Sequence, residues 1–153
     1  MSVMGSNSIV IKENNYSWSG VDRKDYKTDT QNFKDIHRYT LLSDEHPALN
    51  SQTRYFEIKP GGYSSLEYHR HPHSVIIIRG KGHVILNNEI KKISAFDVVY
   101  ISPDTIHQFH ADDGAELGFI CIVDRYRDRP VVPDDDQIKS TISSKNVLDK
   151  IRK

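Results

Sequence analysis

A single cysteine, Cys121, in 153 residues excludes a disulfide within the chain. Long apolar runs are missing too: stretches such as Val75 to Ile78 and Val98 to Ile101 fall far short of the roughly 20 residues that cross a bilayer as a helix. Neither sign of charge is in excess. Lys and Arg total 21, as do Asp and Glu, so no net field draws the chain to nucleic acid or to an anionic membrane. Met1 to Val10 lacks the basic start and apolar stretch of a secretory signal, and no internal repeat or low-complexity tract is present. Together these absences predict a cytoplasmic protein of one domain whose partner is a small molecule rather than nucleic acid or membrane.

What the chain does have is a succession of short runs rich in β-branched and aromatic residues. They fall at Arg38 to Leu42, Thr53 to Lys59, Ser64 to His69, Ser74 to Arg79, Gly82 to Leu86, Val98 to Ile101, Gln108 to Ala111 and Leu117 to Val123. Turn-forming groups separate them: Pro60-Gly61-Gly62, Gly80-Lys81-Gly82, Asn87-Asn88, Ser102-Pro103-Asp104 and Asp112-Asp113-Gly114. This rhythm predicts an all-β fold, an antiparallel sandwich or barrel over residues 31–130. Residues 1–30 have no clear period and read as an N-terminal arm whose aromatics, Tyr16, Trp18 and Tyr26, dock on something. Beyond Pro130 and Pro133 the chain turns polar, and residues 131–153 read as a partly helical tail with Ser143 or Ser144 as an N-cap.

Three of the eight histidines stand at 69, 71 and 73, and Glu67 continues the alternation. On an extended strand alternate residues share a face, so all four point one way. Imidazole and carboxylate together suit one divalent transition metal ion, Fe, Mn, Co, Ni, Cu or Zn, rather than Ca or Mg. The plain alternative is a row of solvated strand histidines beside Pro72. His83 and His110 read as ordinary strand histidines, and His37 and His46 lie away from the cluster.

The spacing around this cluster resembles the cupin superfamily. Its first motif is Gly, five residues, His-x-His, three or four residues, Glu, six residues, Gly. Gly61, Glu67, His69, His73 and Gly80 keep that spacing without a gap, with carboxylate and imidazole exchanged at the first and third ligand slots. The second motif is matched at Asp97 and His107, whereas Phe96 and Asp104 replace its two glycines, Ser102 its proline, with Pro103 one place along, and Ala111 its asparagine. The resemblance covers roughly residues 53–124. It implies a single-domain jelly-roll barrel with an N-terminal arm and a short helical C-terminal tail, a metal ion inside near one mouth, and a homodimer.

On that resemblance the gapless register assigns the metal to Glu67, His69, His73 and His107. A rival register takes His71 in place of Glu67. In the first register His71 is left beside the ion as a group that moves a substrate proton. Phe119 and Cys121 on the last strand, and Tyr55 and Glu57 on the strand before Gly61, are assigned by parity to the substrate pocket. The alternating charges of Asp124 to Pro130 offer a contact for an anionic substrate or a pairing across a dimer, but a solvated edge is the commoner meaning of such a run, and it is given no catalytic role. The function expected is that of a metal-dependent enzyme acting on a small organic metabolite. A non-haem oxygenase-type oxidoreductase (a dioxygenase) leads, ahead of an isomerase or lyase and of a non-enzymatic binding module.

Overall fold

Glycines decide where this sheet turns its corners. The computed structural model describes residues 7–25 and 33–153, so Tyr26 of the expected arm lies outside them. Among these residues are strands β1 (Glu13–Asn14), β2 (Ser17–Trp18), β3 (Arg23–Asp25), β4 (Lys34–Leu42), β5 (Ser51–Tyr63), β6 (His73–Leu86), β7 (Glu89–Ser94), β8 (Val98–Ile101), β9 (His107–Ala111) and β10 (Leu117–Asp124). Helices α1 (Asp135–Thr141) and α2 (Lys145–Lys150) follow. The all-β barrel with two short C-terminal helices is the architecture expected from the sequence.

The first half of β6 pairs with β8 and β10, and its second half with β7 and β9. The exchange of partners falls at Gly80-Lys81-Gly82, which the sequence presents as a turn between two strands. No reversal occurs there. Gly80 has φ +70°, and a Cβ on it would lie 1.6 Å from the carbonyl oxygen of Glu116; a Cβ on Gly82 would lie 2.0 Å from that of His110. The missing side chains let one long strand bend from one layer of the barrel into the other. β5 behaves alike. It pairs with β4 and β10 along most of its length, then continues through Pro60-Gly61-Gly62 so that Tyr63 meets His110 of β9.

Two further expectations need correction. Ser64 to His69 forms no regular strand, only the isolated bridges Glu67↔His107 and Tyr68↔Val131. β7 was not anticipated, because Glu89, Lys91 and Lys92 dilute its apolar signal to Ile90 and Ile93.

One core fills the barrel, with Val75, Ile77, Ile101, Leu117 and Phe119 among its members. A second lies beneath the tail, where Ile138 of α1, Ile142 just after it and Val147 of α2 cover Leu66, Ile85 and Ile106. α1 starts at Asp134 in a capping box with Gln137, a start the sequence reading missed; α2 starts at Ser144, whose side chain makes no cap bond. Since Leu66 directly precedes Glu67, the tail anchors the segment that carries the histidines. On the opposite side, Tyr16 and Trp18 of the arm pack on Tyr55, and Trp18 also on Tyr39. Among the described residues no helix is long and apolar enough to cross a membrane.

His110 sits in this frame rather than in the site. Its Nε2–H donates to Gln108 Oε1 at 2.8 Å, and that oxygen also accepts from the Arg152 N–H at 3.0 Å. Burial, then the charges of Lys150 and Arg152, push its pKa down from 6.5 to about 4. Between those values an unfolded chain takes up a proton that the folded chain refuses, so stability falls as the pH falls through that window. The gap is worth up to about 3 kcal/mol. Urea unfolding at pH 7 and pH 4.5 should therefore show a smaller acid loss for His110→Gln than for the wild type. Equal losses would acquit His110.

Candidate metal centre

The two sequence segments that carry the cluster are joined before any metal is considered. The Glu67 N–H donates to the His107 carbonyl at 3.2 Å, and the His107 N–H donates to the Glu67 carbonyl at 2.9 Å. The Asp104 N–H donates to the His69 carbonyl at 2.8 Å, fixing the next turn of the loop. His73 opens β6. Side-chain nitrogens of His69, His73 and His107 consequently lie within 4.8 Å of one another.

The rings are oriented by what their far nitrogens touch. His69 Nδ1 lies 2.6 Å from the His71 carbonyl oxygen and His107 Nδ1 lies 2.8 Å from that of Thr105. A carbonyl only accepts, so each Nδ1 carries the proton and each Nε2 is left as a lone pair. His69 Nε2 is buried with no hydrogen-bond partner, a condition proteins rarely leave uncompensated. His73 Nδ1 faces Cys121 Sγ at 3.5 Å. Burial lowers the pKa of all three: His69 by desolvation and then the neighbouring His71, His73 to about 2 by desolvation and then His107, and His107 to about 4 chiefly by desolvation. The neutral imidazole is the form that binds metals. An orphaned acceptor within a neutral three-imidazole set fits a transition metal ion.

Both candidates for a fourth ligand flank this triad. Glu67 Oε1 lies 3.8 Å from His107 Nε2, and burial lifts its carboxyl pKa to about 7 against the lowering charge of Arg54. His71 stacks on His69 with centroids 3.7 Å apart and brings its Nε2 to 3.2 Å from His73 Nε2. The His71 Nδ1–H donates to Asp128 Oδ1 at 2.9 Å. Asp128 also accepts from the backbone N–H of Arg70 at 2.8 Å and of His71 at 3.0 Å. Those bonds, the Arg70 N–H first, hold its carboxyl well below the usual range. Asp128 belongs to the run taken for a solvated edge, and it is the principal residue that the sequence reading missed. No spacing rule links positions 71 and 128; the only available signal was that the run leaves the last barrel strand.

A cavity of about 340 Å³ opens on His73 and His107 of the triad. Glu67, His71, His73 and His107 line it, and Phe56, Phe109 and Phe119 form an apolar wall. Phe119 and Cys121 face the cavity, whereas Tyr55 and Glu57 do not. Phe119 stands directly opposite Phe56 and Cys121 opposite Arg54, and residues directly opposite share a face. Even positions of β5 therefore point inward and odd positions outward. On the outer face the Tyr55 hydroxyl donates to Glu57 Oε2 at 2.7 Å, and Arg79 Nη1 donates to both Glu57 oxygens at 2.8 and 2.9 Å. That buried group braces the barrel beneath the arm. Arg38 and Arg54, which the sequence reading did not single out, line the cavity instead, together with Arg127 of the charged run after the last strand.

Residues 54–123 match the model of the cupin domain family. The 1-methylthio-D-xylulose 5-phosphate methylsulfurylase of Rhodospirillum rubrum is 38% identical over 122 residues, which span 79% of this chain and 77% of that protein. A cupin 2 conserved barrel domain protein from Rhodopseudomonas palustris superposes with a TM-score of 0.83 at 41% identity, over 89% of this chain and 93% of that one. A cupin-2 domain from Rhodospirillum rubrum does so with a TM-score of 0.78 at 35% identity, over 86% and 88%.

Proposed function

The chain belongs to the cupin family, and from that premise we propose that it is a metal-dependent enzyme acting on a small carbonyl metabolite, with Glu67, His69, His73 and His107 as ligands and His71 as proton carrier. The observation that carries the proposal is the convergence of three buried, neutral imidazoles on one point, with His69 Nε2 left unpartnered. A bound ion would supply Lewis acidity to a substrate carbonyl oxygen. The chain's own residues do the rest. His71 lines the cavity and takes or gives a proton at Nε2, while the Asp128 carboxylate, accepting from Nδ1–H, fixes the tautomer and steadies the imidazolium. Phe56, Phe109 and Phe119 limit water around the reacting carbons.

This arrangement favours isomerase or lyase chemistry beside a carbonyl over the oxygen-using reaction that the sequence put first. The apolar wall serves either reaction, but the His71–Asp128 pair serves proton transfer. The relative from Rhodospirillum rubrum is named for 1-methylthio-D-xylulose 5-phosphate, a phosphorylated ketose, which agrees with a carbonyl substrate. A specific observation supports the rival ligand register as well: the 3.2 Å approach of His71 Nε2 to His73 Nε2 suits two ligands of one ion. A homodimer, implied by family resemblance, would cover Val98 and Tyr100, exposed on β8. The unpaired Cys121 suits a reducing compartment such as the cytoplasm.

Metal-loaded protein incubated with D-xylulose 5-phosphate in deuterated water should catalyse exchange at carbons next to the carbonyl, followed by proton NMR. His71→Asn should slow that exchange roughly 10²- to 10⁴-fold with metal content unchanged. An unaltered rate would remove His71 from the chemistry, and loss of metal would move it into the ligand set. A reaction that stops under strict anoxia would restore the oxygenase.

A further inference from the structure

A cationic pole lines the same cavity as the histidines. Arg38, Arg54 and Arg127 line it, and among the described residues Glu67 is the one carboxylate in the lining. In a chain whose formal charges cancel, three guanidinium groups gathered in an apolar-walled cleft make a focused positive potential.

The fold brings the three from separate places. Arg38 pairs with Phe56 and Thr40 with Arg54 across β4 and β5, so the two arginines are diagonal neighbours on one face. Arg54 stands opposite Cys121 of β10, with Nη2 3.6 Å from Cys121 Sγ, and its Nε is buried without a hydrogen-bond partner. Arg127 reaches back from the chain beyond β10, where its Nη1 donates to Gln52 Oε1 at 3.0 Å and to the Asp124 carbonyl at 3.1 Å. Both acceptors are neutral. Burial, then the charge of Arg54, lowers the pKa of Arg127, and Arg38 adds to the effect, against a smaller opposing pull from Cys121 and the Asp44 carboxylate. Like charges held together against their own repulsion signal a ligand that resolves it.

We propose that Arg38, Arg54 and Arg127 form a subsite for the phosphate group of a phosphorylated substrate, whose carbonyl end lies toward His69, His73 and His107. The proposal rests on the metal-enzyme reading for what happens at the carbonyl end, while the subsite itself stands on the arginines. Cys121 Sγ lies 3.6 Å from Arg54 Nη2 and 3.5 Å from His73 Nδ1, so one side chain separates the two poles. A metabolite of a few carbons spans that interval. Guanidinium groups suit phosphate because they offer paired N–H donors and keep their charge when desolvated.

Isothermal titration calorimetry on the full-length manganese-loaded protein tests this with D-xylulose 5-phosphate, D-xylulose and inorganic phosphate. The sugar phosphate should bind about 100-fold more tightly than the neutral sugar, as expected of two or more charge-assisted hydrogen bonds. Arg54→Gln and Arg127→Gln should each weaken the sugar phosphate about tenfold, and Arg127→Gln should leave D-xylulose affinity and metal content as in the wild type. Arg127→Lys, which keeps charge at the rim, should recover part of the loss. Inorganic phosphate titrated into metal-free His107→Ala separates the two proposals: binding retained there, and lost in Arg54→Gln, supports the subsite whatever becomes of the metal. Equal affinity for sugar and sugar phosphate, or arginine variants that bind phosphate as the wild type does, overturns it.

Discussion

Alanine at His69, His73 or His107 is expected to leave the purified protein without stoichiometric metal and without activity, while the barrel still folds. Each substitution takes one nitrogen from the set that lies within 4.8 Å. The loss in metal affinity should exceed the roughly 10- to 100-fold typical of outer-shell partners, since a direct ligand is removed. Elemental analysis after dialysis measures content, and thermal unfolding with and without added manganese measures linkage. Wild-type protein at a metal concentration about 100 times its dissociation constant gains about 2.7 kcal/mol from binding, whereas the variants should gain little. Glu67→Ala and His71→Ala complete the set: the one that loses metal with the triad is the fourth ligand. Full metal content in all three triad variants would sink the centre as described.

The second large effect concerns the fold. Gly80→Ala is expected to yield no correctly folded protein. The position has φ +70°, which costs an L residue about 1–2 kcal/mol, and the added Cβ would lie 1.6 Å from the Glu116 carbonyl oxygen. That oxygen is backbone and also accepts from the Lys81 N–H at 3.2 Å, so relief requires β10 to move off β6. β10 carries Phe119 and Cys121 along the cavity wall, and moving it opens the barrel core. The cost should exceed about 4 kcal/mol, a large share of the roughly 5–15 kcal/mol that keeps a domain folded. Gly114→Ala is the control, because a Cβ there meets nothing within 4 Å. It should stay within about 0.5 kcal/mol of the wild type. Circular dichroism and urea unfolding decide, and a Gly80→Ala protein with near-native stability would refute the corner.

These two positions also show what the sequence made legible. The spacing from Gly61 through Glu67, His69 and His73 to Gly80 is local, so it could be read directly, and it led to the barrel and to the neighbourhood of the site. The glycine groups at 61–62 and 80–82 were visible but misread. Composition marks them as places where the backbone does something unusual, and only the partner strands distinguish a reversal from a bend. Parity on β5 was equally undetermined. Tyr55 and Glu57 alternate with Arg54 and Phe56, and both pairs contain polar and aromatic groups, so the inward face depends on the pairing with β10. Asp128 and Arg127 could not be found by pattern, because their partners His71 and Gln52 are 57 and 75 positions away.

The Nδ1 bonds to the carbonyls of His71 and Thr105 have a kinetic consequence. Rings pinned from behind need no search before an ion arrives, since folding has already met the entropic cost of placing them. Loading should then be timed by how fast each hydrated ion sheds its own water. Ions that exchange water quickly would fill the protein soonest, and a cage with no rearrangement to make has little means of refusing whichever of them the cell supplies in abundance.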